Sequence, residues 1–251
     1  MAKTAPIVLV ALTALASSVL AAGDDARPAA SVPVIARFSD AALGAPPRDW
    51  KFLPVRNAKN ATQYAIVRDD EAGTPVLEGI ADNAAGAMIQ RLDADAAATP
   101  MLRFRWRVGN LISRSDPTTK AGDDYAARIY VTFAYDPARA TLREKSENAI
   151  MHVLYGETPP HAALAYVFTH KLATGAVQIS PFTSRVRKIV VDSDVASIGR
   201  WKQFERNVLD DYRRVFREEP TAISGIAVMV DTDNTGEHAR SRFGDISLTS
   251  K

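Results

Sequence analysis

The sequence predicts an all-β protein, an antiparallel β-sandwich of jelly-roll type with one short helix. Three observations carry that prediction. Short stretches in which apolar and polar residues alternate recur along the chain, which is the period-two signature of half-buried strands. Turn residues separate these stretches at hairpin spacing. Helical periodicity is confined to one place, so the strands do not alternate with long helices as an α/β fold requires. No internal repeat of fixed period is visible, which counts against a propeller.

The first element is a targeting segment rather than part of the fold. Residues 1–22 read as a secretory signal, with Lys3 as the positive start, an apolar stretch over residues 6–20, and small residues Val19 and Ala21 ahead of cleavage after Ala21 or Ala22. The apolar run is shorter than the roughly 18 to 20 residues that span a bilayer, and no basic flank follows it. Export without a lasting membrane anchor is therefore expected, with the periplasm or the exterior as the destination. No Cys follows to carry a lipid. Residues 23–33, built of Asp, Ala, Pro and Arg among others, read as a flexible leader, and residues 34–251 as a single β-sandwich domain.

The clearest strand is residues 102–108, where Leu102, Phe104, Trp106 and Val108 face a core and Arg103, Arg105 and Arg107 form a ladder on the other side. In residues 124–135, Tyr125, Ala127, Ile129, Val131 and Phe133 share one face, and Asp124, Arg128, Tyr130 and Thr132 share the other. Further strands are expected over residues 63–68, 76–81, 87–92, 150–155, 165–169, 187–191, 201–208, 223–230 and 241–248. The helix falls at residues 208–216, where Val208, Tyr212, Val215 and Phe216 lie on one side. Asp210 and Asp211 occupy its first turn, where carboxylates satisfy free amides and the dipole.

Composition narrows the function. A net charge of +2 with basic residues spread along the chain makes nucleic acid a poor partner. The chain has no Cys, which excludes disulfides, thiolate chemistry and zinc sites of the Cys type. His152, His161, His170 and His238 are scattered and lack the spacing of a zinc protease, and neither a GxSxG elbow nor a phosphate loop is present.

Three polar segments carry the candidate chemistry. The first, from Gly122 through Asp123, Asp124 and Tyr125 to Arg128, opens a strand with adjacent carboxylates and sets Arg128 on the face of Asp124. If this strand neighbours the arginine ladder, a polar face bearing Arg105, Asp124, Arg128 and Tyr130, with Asp123 as a further candidate next to Asp124, suits a polar ligand, or closes on itself as an ion network. The second runs from Asp231 through Asp233 and Asn234 to Gly236 and resembles the start of a calcium loop. The twelfth position is Arg242 instead of an acid, so a self-capped turn explains the same residues without metal, and no cofactor is expected, with calcium at this loop as the alternative. The third is the stretch from Trp201 into the helix, where Trp201 suits either the core or a stacked sugar. Paired carboxylates for glycosidic hydrolysis have candidates in Asp124, Glu157, Glu205 and Asp231, whose separation only a structure gives.

These segments, in this order, resemble an uncharacterised bacterial family, domain of unknown function 3047. The likeness runs from about Phe38 to Leu248 and rests on Gly122 to Arg128, then Trp201 with Arg206, Asn207, Val208, Asp211 and Tyr212, and finally Asp231 to Thr235 with Gly244, Asp245 and Ile246. Arg217 departs from it, since a Gly is expected after Phe216. The family carries no established activity. A weaker likeness is to jelly-roll carbohydrate-binding modules, whose closing strand often has an acid before an apolar pair, as in Phe243 to Leu248. The expectation is an exported protein that binds a polar ligand such as a saccharide or cell-envelope glycan. The alternatives are a glycan-active lyase or hydrolase using Asp124 or Asp231 with Arg128, and a protein-interaction module of the envelope.

Overall fold

A computed structural model of the chain describes residues 34–139 and 160–250, and its alternating stretches pair into two stacked sheets. Numbering the strands in chain order, the first sheet contains β1 (Val34–Ala36), β4 (Gln63–Asp69), β5 (Thr74–Asp82), β7 (Met101–Val108), β12 (Lys202–Asn207), β14 (His238–Phe243) and β15 (Ile246–Thr249). The second contains β2 (Lys51–Pro54), β6 (Ala84–Ala94), β8 (Arg128–Phe133), β9 (Ala162–Phe168), β10 (Val177–Ile179), β11 (Val186–Asp192) and β13 (Ile223–Met229), with the short β3 (Asn60–Ala61) beside β6. The sandwich predicted from the sequence is the fold.

The core forms where the alternation places it. Leu102, Phe104, Trp106 and Val108 of β7 pack with Ile129, Val131 and Phe133 of β8 and with Tyr166, Ile226 and Val228 of the opposing sheet. Each such side chain contributes about 1.5–3 kcal/mol by leaving water. Tyr64 ties the layers together, because its hydroxyl donates to the Gly86 carbonyl at 2.9 Å and accepts from the Val230 amide at 3.0 Å.

Several expectations need correction. Pairing is antiparallel except for β9 with β11 and β3 with β6, which run parallel. The strand expected from Asp124 begins at Arg128. Asp124 is held out of the ladder by the amides of Asn234 and Thr235, which donate to its carboxylate, so residues 124–127 stay in the loop. Tyr125 consequently lies with Ala165, Val167 and Val190 outside the central core instead of beside Ile129. The stretch expected over residues 241–248 is broken at Gly244 and Asp245 into β14 and β15, which lie end to end along β7. The strand expected at residues 150–155 lies outside the described residues.

The helix α1 (Val208–Phe216) matches its expectation, but Asn207 is its cap, accepting from the Asp210 amide at 3.0 Å. Asp211 is buried and turns to Arg206, at 2.6 Å, and to the Tyr166 hydroxyl. Arg217 ends the helix in the left-handed conformation at φ 61°, the position where glycine is usual.

Candidate functional site

The outward face of the first sheet carries the arginine ladder. Arg103, Arg105 and Arg107 of β7 alternate with the core residues, and Arg240 and Arg242 of β14 join them. Four of the five are matched by acids. Arg103 pairs with Glu205, which stands opposite it in the β7 and β12 register. Arg107 meets Asp69 at 3.1 Å and Glu71 at 2.7 Å. Arg242 meets Asp69 at 2.8 Å and Glu78 at 2.7 Å, and Arg240 meets Glu78 at 2.6 Å. Asp69 is the hub of this network. Burial alone would push its carboxyl up, but the Ala72 amide, Arg242, Arg107 and the Trp201 indole together hold it below the usual carboxylate range.

Arg105 is the exception, with no carboxylate partner among the described residues. Its Nη2 donates to Thr74 Oγ1 at 3.3 Å, and its Cζ lies 4.9 Å from the centre of the Trp201 ring. Its side chain crosses Gly244, where a Cβ would run into the Arg105 stem. The interruption between β14 and β15 thus leaves room for that side chain. Arg105 lines an open hollow of about 440 Å³ together with Arg103, Ser39, Gln203, Asp245 and Ser247. Gln203 faces Arg105 directly across the ladder. Asp245 is fixed by the Ser39 amide at 2.9 Å and the Ser39 hydroxyl at 2.7 Å.

Arg128, by contrast, belongs to the second sheet, so the expectation that it shares a face with Arg105 is overturned. Ile129 and Val131 point into the core, which sends Arg128 and Tyr130 to the opposite exterior of the sandwich. There Arg128 is nearly sealed from solvent. Its Nε donates to Asp231 Oδ1 at 2.9 Å, its Nη2 to Asp231 Oδ2 and to the Asp123 carbonyl, and its Nη1 to the Tyr130 hydroxyl at 3.0 Å. Lys188 of β11 joins from the other side, bonding the Asp123 carboxylate and the Pro117 carbonyl. Burial pushes the Lys188 ammonium down, against the pull of Asp123.

The structure therefore brings together Asp123, Asp124, Arg128, Tyr130, Asp231, Asp233 and Asn234 and leaves Arg105 apart. Asp123, Asp124, Arg128 and Asp231 are buried, so no ligand reaches them on an open face. Asp124, Asp231 and Asp233 each offer an oxygen within 4.8 Å of the others. Arg128 already gives Asp231 the positive charge that calcium would bring, and Asp124 accepts from the Asn234 amide, the Asn234 side chain and the Thr235 amide. Among the described residues only Asp231 of the three has a cation within ion-pair distance, and Asp233 lacks the pair of backbone amides that Asp124 receives from Asn234 and Thr235. Burial, and then the Asp124 charge, raise its carboxyl above the ordinary value.

Among the other carboxylates considered, Glu205 is bound to Arg103 on the far sheet, and Glu157 lies outside the described residues, as does His152. Sequence reasoning missed Ser39, Gln203 and Lys188, and noted Asp245 only as part of the family and closing-strand likenesses, not as a site residue. Gln203 had a signal, since it alternates with core residue Phe204, but its position opposite Arg105 follows only from the pairing of β12 with β7.

A family model described as "Protein of unknown function (DUF3047)" matches residues 48–247. No curated protein matches the chain. Among solved structures, the chain is similar to the glycoside hydrolase domain of Endo-D from Streptococcus pneumoniae R6, at 11% identity over 80% of this chain and 21% of that one, with a TM-score of 0.31. The chain thus spans about a fifth of that structure. It is also similar to the K3 cleaved adhesin domain of Lys-gingipain from Porphyromonas gingivalis w83, at 10% identity over 81% of this chain and 93% of that one, with a TM-score of 0.34.

Proposed function

The chain belongs to the DUF3047 family of proteins of unknown function, and from that premise and the geometry above we propose that it is an exported binding protein for a saccharide or cell-envelope glycan. The ligand sits in the hollow beside Arg105. In this reading residues 1–22 are removed on export, residues 23–33 form a leader, and residues 34–251 are the binding domain in the periplasm or outside the cell. No helix among the described residues is long and apolar enough to cross a membrane.

One observation carries the reading. The hollow's lining sets Arg105, Gln203 and Ser247 on the neighbouring strands β7, β12 and β15, with Asp245 as an acceptor at the break between β14 and β15. Sugar hydroxyls both donate and accept, so such a mixed lining suits them, and placement on paired strands keeps the donors aimed without a ligand. The hydrolase or lyase reading has less support, because Asp124, Asp231 and Arg128 are buried and engaged with one another or with backbone amides.

Calorimetric titration of the mature chain against a panel of envelope glycans tests the proposal. Heat is expected with at least one glycan, and Gln203→Ala should weaken that binding several-fold. No heat across the panel would sink it.

A further inference from the structure

Resting on that reading, we infer that the bound saccharide is acidic, and that Arg105 recognises a carboxylate on it. The inference starts from the ladder's charge pairing. Arg103, Arg107, Arg240 and Arg242 each meet an acid of the chain, whereas Arg105 meets none among the described residues. A guanidinium has five N–H donors in a rigid fork, and among the described residues only the bond to Thr74 is made. The remaining donors match the two oxygens of a carboxylate, the pairing that Arg forms most strongly.

The side chain is also held in readiness. Stacking on Trp201 and passage over Gly244 restrict its rotamers, so less freedom is lost when an anion docks. Half-burial strengthens the pairing relative to a fully solvated one. The acids on the same lining argue against a densely charged phosphate or sulfate chain. Asp245 is fixed by Ser39 and presents negative charge toward the hollow, which repels a polyanion but accepts a hydroxyl. Among the described residues of the lining, Arg37 meets Asp40 and Arg103 meets Glu205, so Arg105 is the cation without an acid, and beside the Asp245 acceptor it is complementary to a ring that carries a carboxylate and hydroxyls.

The test compares three probes by titration calorimetry: a neutral oligosaccharide bearing one uronate ring, the same oligomer with that carboxylate reduced to an alcohol, and a sulfated oligosaccharide of equal length. The uronate oligomer is expected to bind about tenfold or more tightly than its reduced form, the loss that one charge-assisted bidentate pair implies. Arg105→Gln should abolish that difference, while Arg240→Gln, outside the hollow, should leave it. Gly244→Ala provides a second route, because the added methyl displaces the Arg105 side chain without removing its charge and should likewise erase the preference. Equal binding of the acidic and reduced oligomers would overturn the inference and leave the saccharide reading standing. Tighter binding of the sulfated chain would overturn it in favour of a general anion site. Absence of heat with all three, and with the wider panel, would overturn both.

Discussion

Arg128 and Asp231 form a two-pronged ion pair at the loop end of the second sheet, with Nε donating to Oδ1 at 2.9 Å and Nη2 to Oδ2. The pair joins β8 to the turn that follows β13 and is buried on both sides. Removing one member strands the other charge in a place water does not reach. Arg128→Leu is therefore expected to cost about 3–5 kcal/mol, whereas Arg105→Gln, on the half-open face, should cost less than about 1 kcal/mol. Urea unfolding of the two variants checks the contrast, and similar losses would show that the Arg128 cluster is not the structural tie described.

Asp69 gathers Arg107, Arg242, the Trp201 indole and the Ala72 amide. Its folded value lies below its unfolded value of about 3.9, so its contribution is complete above that pH and is lost as pH falls through the folded value. Asp69→Asn should destabilise the protein by roughly 2–3 kcal/mol at neutral pH and flatten the stability curve below about pH 4. Unfolding midpoints measured from pH 2 to 7, a window of about five units around that value, test the slope.

Asp233 runs the other way. Its carboxyl is raised by burial and by Asp124, so its ionisation costs stability at neutral pH and the cost disappears as pH falls through the raised folded value. Asp233→Asn should raise the melting temperature at neutral pH in chelator-treated protein, with the gain shrinking on acidification. A melting temperature lowered at neutral pH would show that the charge is compensated.

Arg217 adopts φ 61° at the end of α1, a conformation that costs a residue with a Cβ about 1–2 kcal/mol. Its amide still caps the helix by donating to the Arg213 carbonyl at 3.0 Å. Arg217→Gly relieves the strain but adds freedom to the unfolded chain, and the balance should be a gain of about 0.5–1 kcal/mol. Thermal melts distinguish this from a neutral surface change.

Much of this architecture was legible before any coordinates. The inward set of β7 and the outward Arg103, Arg105 and Arg107 follow from a period that only a strand satisfies, and α1 follows from the spacing of Val208, Tyr212, Val215 and Phe216. Strands β1, β2, β3 and β10 were missed because each has only two to four residues, too few to show a period. Tyr125 was assigned to the wrong side because alternation was carried back past Arg128 into a loop that Asp124 holds away from the sheet.

The chain's own order of residues determined which side chains leave water and which stay outside, because the two-residue period of a strand is a local property. Whether two outward residues share an exterior is not local, since a sandwich has two exteriors and the assignment depends on which sheet each strand joins. Pairing between residues far apart in sequence put Arg128 against Asp231 in one layer, matched Arg107 and Arg242 with Asp69 in the other, and left Arg105 beside Gln203 without an acid of its own.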